Sequence, residues 1–220
     1  MKKKEFISSN IKLTTPLELS LDKEKPDKAF IVLHGWGANQ HDLVPFVRNL
    51  NLKNYYSFFP NAPFDVPGTA GTGKGWFSFP INDESENELA QSKVQLLAHI
   101  NEVEKRGFSL TNIVIMGFSQ GAAMALEILL SKRKRIGAVI SLSGFLIDGS
   151  NFHTLNDAIK QTPIFLAHGQ HDTILPLKRA KLSAKALKNA GLKITWREYP
   201  MAHEIIADEV EDIRGFLNKI

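Results

Sequence analysis

One short segment near the middle of the chain constrains the fold more than any other. Residues 113–115 form a β-branched run, residues 117–121 read Gly-Phe-Ser-Gln-Gly, and the residues after them are rich in helix formers. The segment therefore predicts a strand, a tight turn that exposes Ser119, and a helix. The glycines leave room where the helix crosses the strand. A Gly-x-Ser-x-Gly match also arises by chance, but this context is typical of a nucleophile elbow.

Apolar runs and helical patterns alternate along the rest of the chain. Unbroken apolar runs predict strands buried on both faces of a parallel sheet, and apolar residues at helical spacing predict the segments between them. The other predicted strands cover residues 29–33, 55–59, 136–142, 163–167 and 193–199. The other predicted helices cover residues 42–50, 89–106, 177–190 and 204–219. This alternation predicts a single α/β domain over residues 1–220, with a mostly parallel central sheet and helices on both faces.

Two segments allow more detailed predictions. Residues 17–21 alternate apolar and polar side chains, which predicts an edge strand within the N-terminal region 1–26. The helix over residues 89–106 has apolar residues at helical spacing, which predict the stripe that faces the core. The residues of this stripe are Val94, Leu97, Ile100 and Val103.

A long segment, residues 60–83, is rich in proline, glycine and aromatic residues and predicts a loop. A loop of this length in a compact domain is usually either functional or a sign that an element has been misassigned. Its aromatic side chains are predicted to be exposed, either in a substrate groove or as caps on the edge of the core. These side chains are Phe64, Trp76, Phe77 and Phe79. Residues 68–75 resemble a phosphate-binding P-loop, but Gly75 stands where a Ser or Thr must bind magnesium, so we reject that interpretation.

A serine nucleophile needs a histidine base and an acid that orients the histidine. In hydrolases with this elbow, the acid and then the histidine follow the serine at the ends of later strands. Asp172 follows the predicted strand 163–167, and Asp148, after strand 136–142, is a second candidate. His203 follows the last predicted strand, whereas the other six histidines precede the acid or lie on its turn, where packing is their expected role. The sequence thus predicts a triad of Ser119, Asp172 and His203.

The same chemistry needs backbone N–H groups where negative charge develops on the substrate. The residue after the nucleophile, Gln120, and the loop after strand 29–33, at Trp36, are the predicted donors of this oxyanion hole. No cofactor or metal is predicted. His203 and Glu204 begin like a zinc-protease helix, but Ala207 stands where the second histidine must be.

Composition excludes several classes of function. The chain has no cysteine, so disulfides, thiolate nucleophiles and cysteine zinc sites are excluded. Much of the formal charge of +4 comes from residues 2–4 and 132–135, which lack interleaved aromatics and predict solvated surface rather than a nucleic-acid partner. The N-terminus is too polar for a signal peptide, and no run has transmembrane length. We therefore expect a soluble, cytoplasmic protein without stable membrane insertion. The sequence is also compatible with a homodimer.

With these motifs located, the chain resembles the carboxylesterase/phospholipase family of α/β-hydrolases over nearly its whole length beyond the first two dozen residues. Gln120 after the serine is typical of this branch. The segments that carry the resemblance are residues 33–38, 60–63, 75–77, 117–122, 168–172 and 203–204. It implies an α/β-hydrolase fold and an acyl groove lined by Trp76 and Phe77. Many relatives have leucine where Trp36 stands, so the indole narrows or reshapes the acyl channel.

These observations together predict a serine carboxylesterase for small-molecule acyl esters of short to medium chain length, and also for thioesters. A lysophospholipase or an acyl-protein thioesterase uses the same machinery with longer chains, and activity against a chain-length series separates the two. A non-catalytic binding module with a hydrolase fold is the alternative from another class. It is disfavoured because a complete set of Ser119, Asp172 and His203 gives a binding protein no obvious advantage.

Overall fold

The structure, a computed structural model, describes residues 15–21, 26–82, 84–132, 134–147 and 155–220. The strands in these residues are β1 (Leu17–Ser20), β2 (Lys28–Leu33), β3 (Tyr55–Phe59), β4 (Phe64–Asp65), β5 (Lys74–Gly75), β6 (Ile113–Phe118), β7 (Ala138–Leu142), β8 (Pro163–Gly169) and β9 (Lys193–Tyr199). The helices are α1 (Val44–Leu50), α2 (Ser85–Lys105), α3 (Gln120–Ser131), α4 (Asp157–Lys160), α5 (Leu177–Asn189) and α6 (Ala207–Leu217). Within these ranges, none of the helices has the length and apolar character needed to cross a membrane.

Seven of the strands form one sheet in the order β1-β3-β2-β6-β7-β8-β9. β1 pairs antiparallel with β3 at one edge, and every other neighbouring pair in this sheet is parallel. The predicted edge strand and the predicted mostly parallel sheet are therefore confirmed. Because the central strands are parallel, their carboxyl ends lie at one edge of the sheet, where open α/β sheets bind ligands.

Hydrophobic clusters cover both faces of this sheet. Ile113 and Ile115 of β6 belong to one cluster, whereas Val114 and Met116 belong to the other, as the alternation of side chains along a strand requires. Side chains of α2, α3 and α5 pack into the first cluster, and those of α1 and α6 pack into the second. Burial on both faces explains why the central strands are unbroken apolar runs.

Helix α2 differs from its prediction in which residues face the core. Ile100 and Val103 are buried as expected, but Val94 is 60% exposed and Leu96 is buried instead. The helix carries two apolar faces, one toward the core and one toward a surface groove that Val94 and Leu97 line. Residues of both faces follow the same helical spacing, so the sequence pattern predicted a single stripe.

The last helix also begins later than predicted. Ile206 has extended backbone angles (φ −113°, ψ 168°) and caps α6, which starts at Ala207 rather than at residue 204. A carboxylate oxygen of Glu204 accepts a hydrogen bond from the Ala202 N–H at 3.2 Å. These residues therefore form a turn that keeps His203 in the loop between β9 and α6.

Candidate active site

Ser119 lies at a sharp turn between β6 and α3, as the elbow motif predicts. Its backbone is left-handed (φ 56°, ψ −118°), a conformation that is rare for residues other than glycine and typical of strained functional turns. A β-carbon on Gly117 would overlap the backbone of Gly121, and one on Gly121 would overlap the carbonyl of Leu33. Both glycines are therefore required for α3 to cross β6 and β2 at this distance.

The three residues predicted from chain order meet at the carboxyl edge of the sheet. The Ser119 hydroxyl lies 2.9 Å from Nε2 of His203, and Nδ1 of His203 lies 2.7 Å from Oδ2 of Asp172. The side chain of Asp172 is fully buried, and that of His203 is 17% exposed. The loops after β6, β8 and β9 supply one residue each. The second candidate acid, Asp148, lies outside the described residues.

The turn after β8 fixes the carboxylate of Asp172. Its Oδ1 accepts hydrogen bonds from the N–H groups of Ile174 and Leu175 at 2.9 and 2.8 Å, which leaves Oδ2 directed at His203. His168 is buried beside this turn. Its Nε2 lies 2.6 Å from the Leu175 carbonyl oxygen and 3.3 Å from Oδ2 of Asp172. The expected packing role of His168 is confirmed, whereas its contact with the acid was not predicted.

The loop after β2 passes directly beside Ser119. A β-carbon on Gly35 would lie 3.4 Å from the β-carbon of Ser119, so the backbone at Gly35 is in close contact with the nucleophilic residue. Trp36 is the next residue along the chain. On the other side, Gln120 is the first residue of α3. The first N–H groups of a helix have no partner within the helix and are available to an anion. The backbone N–H groups of Trp36 and Gln120 thus belong to segments that flank Ser119.

His34 holds this loop by its side chain. Its Nδ1 lies 2.8 Å from the Gly35 carbonyl oxygen, and its Nε2 lies 3.1 Å from the backbone N–H of Ala62. This pairing requires the neutral imidazole, with Nδ1–H donating and Nε2 accepting. Burial lowers the pKa of His34 to about 4, so the imidazole keeps both bonds at neutral pH. This histidine, which precedes the acid in sequence, therefore has a packing role at the site.

The chain matches a family model described as phospholipase/carboxylesterase over residues 17–220. It belongs to the phospholipase/carboxylesterase family. Acyl-protein thioesterase 1 from Gibberella zeae is 30% identical over 209 residues, which cover 86% of this chain and 88% of that protein. The sequence-based predictions of the family, of the α/β-hydrolase fold and of a serine hydrolase are thus confirmed.

Solved structures show the same fold. Arabidopsis thaliana SOBER1 is 25% identical, with a TM-score of 0.77 over 87% of this chain and 98% of that chain. A Bacillus cereus carboxylesterase has a TM-score of 0.79 over 96% of this chain and 95% of that chain, and at 20% identity this likeness shows the fold alone.

In this member of the phospholipase/carboxylesterase family, a surface groove of about 880 Å³ lies between α2 and α3. Phe77 and Ile81 form one wall, and a face of α2 forms another. Lys93 of α2 donates to Glu127 of α3 at 3.0 Å, so an ion pair joins the two helices within a largely apolar lining. The α2 residues that line the groove are Ser85, Glu86, Leu89, Ala90, Lys93, Val94 and Leu97.

The aromatics of segment 60–83 are placed differently from one another. Phe79 is 36% exposed and its ring lies 6.2 Å from that of Trp36, which is itself 41% exposed. Trp76 and Phe77 are buried, so the prediction of exposure is wrong for these two. Both residues belong to the core cluster, but Phe77 also contributes to the groove wall, whereas Trp76 does not. Local sequence could not separate the two, because their burial depends on distant elements.

The glycine-rich stretch in this segment is the tip of a small hairpin. β4 and β5 pair antiparallel, and Lys74 forms an ion pair with Asp65 across them. A P-loop requires a strand before and a helix after the glycines. The rejection of a phosphate-binding loop at residues 68–75 is therefore confirmed.

Proposed function

We propose that Ser119, His203 and Asp172 act as a catalytic triad that hydrolyses carboxylic esters and thioesters through an acyl-enzyme. The observation that carries this proposal is the pair of hydrogen bonds from the Ser119 hydroxyl to His203 and from His203 to Asp172, at 2.9 and 2.7 Å. A hydroxyl, an imidazole and a buried carboxylate in this order are the parts that acyl transfer requires.

In the first half of the reaction, the Ser119 oxygen attacks the carbonyl carbon while its proton passes to Nε2 of His203. Asp172 accepts a hydrogen bond from Nδ1–H and stabilises the imidazolium that forms. The N–H groups of Trp36 and Gln120 donate to the oxyanion of the tetrahedral intermediate. His203 then gives its proton to the departing alcohol or thiol, which leaves an acyl group on Ser119.

In the second half, water replaces the leaving group. His203 takes a proton from the water as the water oxygen attacks the acyl carbonyl. A second oxyanion forms against the same two N–H groups, and its collapse returns the proton to the Ser119 oxygen. The products are a carboxylic acid and the free enzyme, and no cofactor enters either half.

The groove between α2 and α3 is the proposed site for the acyl chain. Its near wall contains Phe77, whose carbonyl oxygen accepts a hydrogen bond from the side chain of Gln120, the neighbour of Ser119. The ion pair of Lys93 and Glu127 interrupts the apolar lining. Long alkyl chains that cover this pair would remove water from Lys93 without replacing its hydrogen bonds, which is unfavourable.

We therefore expect a preference for short and medium acyl chains. With p-nitrophenyl butyrate, octanoate and palmitate as substrates, kcat/KM should be highest for butyrate or octanoate and at least about tenfold lower for palmitate. Highest activity on palmitate, or on palmitoyl thioesters, would instead favour the second candidate, an acyl-protein thioesterase or lysophospholipase. The observation that favours this second candidate is the similarity of the chain to proteins such as acyl-protein thioesterase 1 from Gibberella zeae.

Labelling with a fluorophosphonate probe tests the nucleophile directly. We expect one covalent adduct, mapped by peptide sequencing to Ser119, because only a serine activated by a base reacts at neutral pH. Ser131→Ala at the end of α3 is the control and should label as the wild type does. A stable adduct on another serine, or no adduct on folded protein, would contradict the assignment and favour a non-catalytic binding module.

We further propose, from the sequence, that residues 1–220 act as one domain in the cytoplasm on small acyl substrates and without a nucleic-acid partner.

A further inference from the structure

Trp76 is at the centre of a hydrogen-bond network beside the proposed oxyanion hole. Its indole N–H donates to the carbonyl oxygen of His34 at 2.9 Å, and its backbone N–H donates to Oε1 of Gln120 at 2.8 Å. Its own carbonyl oxygen accepts a hydrogen bond from the hydroxyl of Ser92. The side chain is fully buried. One residue thus joins the loop after β2, the first turn of α3 and the middle of α2.

The two partners of Trp76 neighbour the two proposed oxyanion donors. His34 lies two residues before Trp36, and Gln120 supplies the other donor from its own backbone. The side chain of Gln120 is fixed at both ends, because its Nε2 also donates to the Phe77 carbonyl oxygen at 2.6 Å. The two donors come from separate elements of the fold, and Trp76 donates hydrogen bonds to both segments.

The distance between two oxyanion donors must be fixed before the reaction. Donors preset around the developing charge cost no reorganisation during the chemical step, and a displacement of about 1 Å can lower the rate about a hundredfold. Anchoring of the His34 carbonyl fixes the peptide plane that leads into Gly35 and Trp36. The His34 and Trp76 rings also pack together, with centroids 5.4 Å apart. Loss of the indole N–H would leave that buried carbonyl without its donor.

We propose that Trp76 is a positioning residue that sets the separation of the Trp36 and Gln120 N–H groups, and that it does not contact the substrate. The proposal goes beyond the proposed function, although it uses the same site. It differs from the substrate contact that the family resemblance implies for Trp76. Of these two aromatic residues, it leaves only Phe77 in contact with the substrate.

Trp76→Phe tests this role, because it keeps an aromatic ring and removes the indole N–H. We expect kcat for p-nitrophenyl butyrate to fall about tenfold to a hundredfold while KM changes less than about twofold, since a preset donor acts on the transition state. Affinity for a trifluoromethyl ketone, which forms a tetrahedral adduct on Ser119, should fall in parallel with kcat/KM. Trp196→Phe is the matched control, because it removes an indole N–H bond of 2.9 Å to Glu198 and should change neither value.

Gln120→Met provides a second variant, since it removes both side-chain bonds and keeps the backbone donor. It should show the same loss of kcat, and the double variant should lose little more than the worse single one, because both changes break one network. The proposal is overturned if Trp76→Phe raises KM and leaves kcat unchanged, or if analogue affinity does not follow kcat/KM. Inactivity of the folded wild type on every ester would overturn the proposed function as well, so the two failures are distinguishable.

Discussion

We expect Ser119→Ala to lower kcat for ester hydrolysis on the order of 10⁶-fold, the loss typical of a removed catalytic serine. Without the hydroxyl, His203 has no nucleophile to activate, and no acyl-enzyme forms. The backbone conformation at residue 119 is held by the crossing of α3 over β6, and alanine meets the same constraint there as serine. The unfolding temperature should therefore change little while turnover is lost, which steady-state kinetics and a thermal melt would measure together.

Ser131→Ala is the control for this experiment, because Ser131 lies on the same helix and its hydroxyl bonds only locally, to the Glu127 carbonyl at 2.7 Å. It should retain wild-type kcat. If Ser119→Ala keeps more than about a thousandth of wild-type kcat, in a preparation free of contaminating esterase, another nucleophile performs the reaction.

The second large effect concerns the acid. We expect Asp172→Asn to lower kcat about 10⁴-fold, because the amide reverses the hydrogen bond to the imidazole. The asparagine oxygen would keep the N–H groups of Ile174 and Leu175, which leaves its NH₂ group facing Nδ1 of His203. Nδ1 must then accept, so the imidazole proton moves to Nε2. A protonated Nε2 cannot take the proton of Ser119.

Asp148→Asn separates this assignment from its rival. It should retain kcat within a few-fold of the wild type. A 10⁴-fold loss in Asp148→Asn together with near-normal Asp172→Asn would show that the acid is Asp148. Equal, small losses in both variants would contradict a triad with either residue, and fluorophosphonate labelling rates of the two variants would provide an independent measurement.

Local patterns predicted the central strands well, for a physical reason. A strand buried on both faces must be apolar at nearly every position, as β6 is. Residues 55–59 and 193–199 have the predicted bounds because turn residues flank them, although 193–199 form an edge strand with several partly exposed polar side chains. Helix boundaries and faces were predicted less well. Val94 is apolar and correctly spaced, yet it lines a groove. Which element packs against a given face of a helix depends on distant parts of the chain.

The site shows the same division. Chain order alone predicted that Ser119, Asp172 and His203 lie together, since each follows a strand and parallel strands end at one edge of the sheet. The network around Trp76 could not be predicted in this way. Its bonds join residues 42 and 44 positions apart, and no local spacing encodes such pairs. The one indication of this network in the sequence was His34, a histidine that directly follows a wholly apolar run.

The groove walls and the reacting groups come from different parts of the fold. Helix α2 and the segment from Phe77 to Asn82 build most of the cavity, whereas the proposed triad comes from loops after β6, β8 and β9. With the acyl chain in this groove, as proposed, substitutions on α2 would alter which acyl group fits without moving the atoms that break the bond. Such a separation allows one scaffold to diverge into enzymes with different substrate ranges, and it marks α2 as the element to vary when a new selectivity is sought.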